Sequence, residues 1–160
     1  MIIKEPNNNF AKLIQILFEL KGKEIFQAYH TYGSMFLFDI GQKSEKLVQD
    51  KLEFIGENTV IIENHTWNLL KNAEIVVSST NDFDEIRKYI PNLVGNMITD
   101  FAFVTEENRL SFIFTNNFRL DIKLSGDEYR DLGIKLSNGN WIDIGPGNTW
   151  KEVTAGHIDE

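Results

Sequence analysis

The chain writes one helical segment twice. "FAKLIQILFELKG" (10–22) and "FDEIRKYIPNLVG" (83–95) stand 73 residues apart. At that shift Phe10 falls on Phe83, Leu13 on Ile86, Leu17 on Ile90 and Leu20 on Leu93. Steps of three and four residues put these side chains on one face of a helix. Both segments stop at glycine, Gly22 and Gly95, the residue suited to the left-handed position that ends a helix. Ile25 then falls on Ile98. After one added residue, Phe36 falls on Leu110, Phe38 on Phe112 and Ile40 on Phe114. Further on, Val60 meets Ile134, Ile62 meets Leu136, Asn64 meets Asn138 and Trp67 meets Trp141. Apolar periodicity aligns readily by chance, but matched glycine, asparagine and tryptophan do not follow from it. The expectation is a duplicated unit, with halves at about 9–79 and 82–152.

Alternating apolar residues after each helix predict short antiparallel strands. In the first half they fall near 23–32, 34–40, 58–63, 66–71 and 73–79, and in the second near 96–105, 109–115, 118–124, 131–137 and 140–145. "TNNF" (115–118) reads as a tight hairpin, and Asn138-Gly139 in "SNGNW" as a type I′ pair. "ENHTW" (63–67) fills the same place in the first half, with His65 at its tip. The charged stretch "GQKSEKLVQDKLEFIGE" (41–57) has no counterpart in the second half and no clear period. Asn81 or Asp82 is the expected cap of the second helix. The expected fold is therefore α+β, one domain over 1–160, in which each half supplies one helix and an antiparallel β-meander. Strands this short cannot cover a helix's apolar face within one half, so the halves must share a core.

Composition narrows the function. Forty-two per cent of the 160 residues are hydrophobic, enough for a core without covalent staples. There is no cysteine, which excludes disulfides, thiolate metal sites and a cysteine nucleophile. "MIIKEPNNNF" lacks the apolar run of a signal peptide, and no stretch approaches 18 apolar residues, so the expected setting is cytoplasmic, without a membrane partner. The net charge is −8 and uneven: residues 1–80 carry 8 basic and 10 acidic side chains, residues 81–160 carry 8 and 14. Such a surface repels nucleic acid and draws in basic partners.

No motif supplies chemistry. His30, His65 and His157 share no metal-ligand spacing. "GPG" (145–147) has the form of a sharp turn, and neither a phosphate-binding loop nor a nucleophile elbow is written anywhere. The carboxylates in "TEENR" (105–109) and "GDEYRD" (126–131) sit among charges, without the apolar pocket that raises a catalytic pKa. The expectation is a chain with no catalytic, cofactor-binding or metal-binding residues, hence no enzyme. Trp150, beyond the last matched strand, is expected to be partly exposed and able to anchor a protein contact.

The run "LVGNMITDFAF", "RLSFIFTNNFRLDI" and "LGIKLSNGNWIDIGPG" resembles a class of small bacterial α+β proteins. These are the immunity proteins encoded beside polymorphic or contact-dependent growth inhibition toxins. The shared texture is a helix ending in Leu-x-Gly, a strand, a hydrophobic hairpin, and a strand with Trp that closes in Gly-Pro-Gly. It covers about 82–147, and more weakly 9–79. The resemblance implies a cytosolic, antitoxin-like protein that binds the C-terminal domain of a cognate toxin and neutralises it by contact alone. Where the toxin is a nuclease with a basic groove, acidic loops would fit that groove. The candidate contact residues are Glu106, Glu107, Asp127, Glu128 and Asp131, with Tyr129 as aromatic anchor. A different acidic interaction module or homodimeric scaffold is the alternative, and a small enzyme or ligand binder using the cleft between the halves is a third reading.

Overall fold

The computed structural model describes residues 8–154, so His157 lies outside the described residues. Helix α1 (Phe10–Leu17) is capped by Asn9, whose side-chain oxygen accepts from the Lys12 N–H at 3.1 Å. It buries Phe10, Leu13 and Leu17, and the 3-10 turn that follows buries Leu20. Helix α2 (Phe83–Tyr89) carries Asp84 and Glu85 in its first turn and Arg87 and Lys88 in its last, which matches the helix dipole. Asp82 holds its cap position without a side-chain bond, while Asn81 turns back to accept from the Ser78 N–H at 2.7 Å. Ile86, Ile90 and Leu93 are buried, but Phe83 is largely exposed, so the second apolar face is narrower than the first.

Eleven strands are described: β1 (Ile25–His30), β2 (Phe36–Val48), β3 (Lys51–Ile62), β4 (Trp67–Lys71), β5 (Glu74–Ser78), β6 (Ile98–Val104), β7 (Arg109–Phe114), β8 (Phe118–Lys123), β9 (Leu132–Lys135), β10 (Trp141–Ile144) and β11 (Trp150–Val153). They form two antiparallel sheets. The first runs β1-β2-β3-β9-β10-β11 and the second β5-β4-β8-β7-β6. Apolar side chains from the facing sides fill one contiguous core. Phe38 of β2 meets the rings of Phe112 and Phe114 of β7 edge-on at 6.2 and 6.0 Å, and Phe36 meets Trp67 at 4.8 Å. Each such side chain removed from water contributes roughly 1.5–3 kcal/mol.

Neither half keeps its strands in one meander. Residues 25–62 give three strands to the first sheet, and the chain then crosses to lay β4 against β8 in the second, with β5 outside it at the edge. Residues 98–123 give three strands to the second sheet, and the chain crosses back to lay β9 against β3 in the first, with β10 beyond it. Details at the two starts answer one another. The Gly22 N–H donates to the Ile98 carbonyl at 2.9 Å, and the Gly95 N–H donates to the Ile25 carbonyl at 2.8 Å. Both glycines need positive φ, +78° and +90°. β1 and β6 each carry an irregularity one step in, at Ile25/Gln27 and Ile98/Asp100. Phe10 stacks on Phe103 at 4.0 Å, and the Phe83 ring faces His30 at 5.8 Å.

Past residue 58 the correspondence read from the sequence does not hold. In the first sheet Ile62 and Val60 of β3 stand opposite Phe36 and Phe38, while in the second it is Ile122 and Leu120 of β8 that stand opposite Leu110 and Phe112. Trp67 is buried in the second sheet, its indole Nε1 donating to the Ser34 carbonyl at 3.0 Å, whereas Trp141 lies half-buried on the outer side of the first. Residues 63–66 form a crossover between sheets rather than a hairpin, so His65 is at no hairpin tip. Its Nδ1 is hydrogen-bonded to the Ser34 hydroxyl at 2.5 Å. In the 136–140 turn only Gly139 of the expected pair takes positive φ, and the Leu136 N–H closes on the Asn140 carbonyl at 2.8 Å. That is a longer turn ending in a left-handed glycine, not type I′. Residues 41–57 continue β2 and β3 as a ribbon beyond the sheet, and β11 pairs with β10 past the Gly-Pro-Gly turn.

Candidate partner-binding surfaces

Two acidic loops meet at one end of the second sheet. The turn 105–108 joins β6 to β7 and closes on Asn108, whose φ is +48°. The connection 124–131 carries the chain from β8 to β9. Asn108 holds the two together: its side-chain amide donates to the Leu124 carbonyl at 2.5 Å, and the Leu124 N–H donates to the Asn108 carbonyl at 2.8 Å. Glu106, Glu107, Asp127 and Glu128 are exposed there, and Tyr129 is 75% exposed. Glu107 is partly neutralised by Arg109, Nε to Oε1 at 3.3 Å. Five of the seven residues read as contact candidates thus face solvent on neighbouring loops.

The other two do not. Asp131 is 0% exposed. Its Oδ1 accepts from the Gly126 N–H at 2.9 Å and the Asn64 side-chain amide at 3.1 Å, and its carbonyl accepts from the Glu63 and Asn64 N–H groups at 2.9 and 3.0 Å. It therefore ties the two crossovers to each other instead of meeting a partner. Burial pushes its carboxyl above the ordinary aspartate range, against the opposing pull of those bonds. Trp150 is only 4% exposed, and its indole donates to the Asn9 carbonyl at 3.1 Å, fastening β11 to the start of α1. The missing signal was tertiary: both residues are buried by elements more than sixty positions away.

The outer faces of the two sheets differ in kind. On the second sheet, Asp121 is held by Arg119 through two bonds at 2.9 and 3.0 Å and by Arg109 at 3.1 Å, with the Ser111 hydroxyl at 2.7 Å. Arg109, Arg119 and Asp121 line an open basin of about 720 Å³, with Lys123, Glu106 and Glu107 also on its walls, so its charges are largely compensated. On the first sheet the register aligns Tyr29, Leu37, Ile61 and Gly133 in one row. Arg130 lies over Gly133, where any side chain would strike its guanidinium. It bonds Glu63 and Asp143 and sits over the Trp141 ring at 5.6 Å. Burial alone would lower its pKa, but those two carboxylates more than offset that and raise it.

The ribbon of β2 and β3 bends over this face. Gly56 makes the bend, since a Cβ there would meet the Asn58 carbonyl at 2.6 Å and Asp39 at 2.8 Å. The Gly56 N–H donates to Asp39 at 3.2 Å, Gln27 donates to the Phe54 carbonyl at 3.0 Å, and Lys135 donates to the Gly56 carbonyl at 2.9 Å. Beneath lies a groove of about 270 Å³ with Tyr29, Leu37, Ile61 and Trp141 on its floor and Val48 and Ile55 on its wall. Burial, then Asp39 and Glu53, push the Tyr29 hydroxyl upward. The ribbon's other side shows Leu47, Leu52 and Phe54 to solvent.

Among the described residues, no group of three or more His, Cys, Asp or Glu side chains is placed to hold a metal ion, and no helix is long and apolar enough to cross a membrane. No protein-family model matches the chain, and no curated protein or solved structure matches it significantly.

Proposed function

We propose that the chain is a non-enzymatic protein-binding domain that neutralises a cognate toxin domain by covering it, acting in the cytoplasm of the cell that makes it. The observation that carries this reading is the acidic end of the second sheet, where the Asn108–Leu124 bonds join the loop that exposes Glu106 and Glu107 to the loop that exposes Asp127, Glu128 and Tyr129. A cluster of carboxylates beside an aromatic suits a basic groove such as that of a nuclease: the charges speed encounter and the ring anchors the contact. The textural resemblance to immunity proteins of contact-dependent growth inhibition systems points the same way. The test is to look for a toxin gene beside the one for this chain, co-express its C-terminal domain, and follow association by stopped flow. Asp127→Lys with Glu128→Lys should lower the association rate constant by about tenfold or more at low salt and leave the fold intact. An unchanged rate would remove this end from the interface.

We further propose that the fold descends from one duplicated unit whose two copies exchanged their last strands. Support comes from the mutual Gly22–Ile98 and Gly95–Ile25 bonds, from the shared irregularities in β1 and β6, and from the strand order of the two sheets.

A further inference from the structure

The ribbon beyond Gly41 and Gly56 has properties the rest of the molecule lacks. Between residues 43 and 56 three lysines and three acids cancel, in a chain whose net charge is −8. β9 pairs with β3 only from Thr59 to Ile62, so among the described residues no strand but β2 pairs with β3 from Lys51 to Ile55, where the Phe54 carbonyl accepts from the Gln27 side chain. The tip is a two-residue turn, Gln49 and Asp50, both at positive φ. Leu47 and Leu52 stand opposite each other, 67% and 57% exposed. A two-stranded ribbon without a covered face is marginal in water. The corresponding hairpin of β7 and β8 closes through residues 115–117 alone.

We propose that this ribbon is a self-association site, in which β3 of one copy pairs antiparallel with β3 of a second copy about a twofold axis at Leu52. A two-residue turn makes Val48 and Lys51 a hydrogen-bonded pair, so alternation aims the Leu52 N–H and C=O at the open edge. Two copies then exchange two bonds between their Leu52 backbones. In that register Lys51 of each copy stands opposite Glu53 of the other, giving two opposite-charge pairs. On the other face, Leu47 and Leu52 of both copies join into one apolar strip. Charge selects a second copy as the occupant. Elsewhere two acidic molecules repel, and a basic partner is drawn to the acidic end; the neutral ribbon is where like can approach like.

The experiment is analytical ultracentrifugation of the whole chain over a concentration series. The wild type should pass from monomer to dimer as concentration rises through the micromolar range. Lys51→Glu and Glu53→Lys, each confirmed folded by circular dichroism, should each weaken the dimer at least about tenfold. An equimolar mixture of the two variants should recover it, because a chain with two acids then faces one with two lysines. A wild type that stays monomeric at millimolar concentration overturns the proposal, and so does a mixture that fails to recover. A monomeric wild type whose ribbon variants lose the toxin domain assigns the ribbon to that partner and overturns it equally.

Discussion

The hairpins β2–β3 and β7–β8 hold corresponding places in the two sheets and end differently. Phe38 pairs across to Val60 in one, and Phe112 pairs across to Leu120 in the other. All four side chains are buried. Yet β7–β8 turns back at residues 115–117, while β2–β3 runs on to a tip at Gln49 and Asp50. Stability is concentrated where the two agree. The extension adds surface rather than core, and that separates what folds the molecule from what it can touch.

The largest effect expected from this contrast is in the core. Phe38→Ala and Phe112→Ala should each cost about 3–5 kcal/mol in urea unfolding. Because the two rings touch at 6.2 Å, the double mutant should cost less than the sum by about 0.5–1.5 kcal/mol. Strict additivity would break the idea of a shared centre. A smaller effect is expected from replacing residues 41–57 with Thr-Asn-Asn, the closure of the other hairpin. The loop-closure cost changes little, so unfolding free energy should move by about 1 kcal/mol or less, whereas loss of the fold would show the ribbon to be structural.

The smallest effect concerns pH. The folded carboxyl of Asp131 is raised, so the native state holds its proton more tightly than the unfolded chain does. Its contribution to stability is present below the ordinary aspartate value of 3.8 and is lost as pH rises through the higher folded value. Glu57, lowered by its bond to Lys23, works in the opposite sense and loses its contribution on acidification. Asp131→Asn should therefore flatten the decline of stability above the aspartate range in thermal melts and leave the acid limb as it is.

Much of the framework was legible because it is local. Phe10, Leu13, Leu17 and Leu20 declare one helix face, Gly22 and Gly95 its ends, and Phe36-x-Phe38-x-Ile40 the inner side of a strand. Period two says which way a side chain points but not which strand lies beside it. For that reason the alignment drifted to Trp67 and Trp141, which share no environment. The ribbon was hidden for a related reason: with solvent on most of both faces, residues 43–55 have no burial alternation to show, and Gln49-Asp50 is not a pair that announces a hairpin. At the candidate site, the exposed loop acids could be read from charge and turn residues. The burial of Asp131 could not, since it depends on Asn64 arriving from the other crossover.

The crossing of the chain between the two sheets also sets the order of events during synthesis. On the ribosome, β3 is complete at residue 62, but the strand that flanks it, β9, ends at residue 135. At elongation rates of about 5–20 residues per second, the nascent chain carries that bare edge for several seconds. Neither sheet can close before most of the polypeptide has emerged, so this fold is finished late, in a single step, rather than half by half.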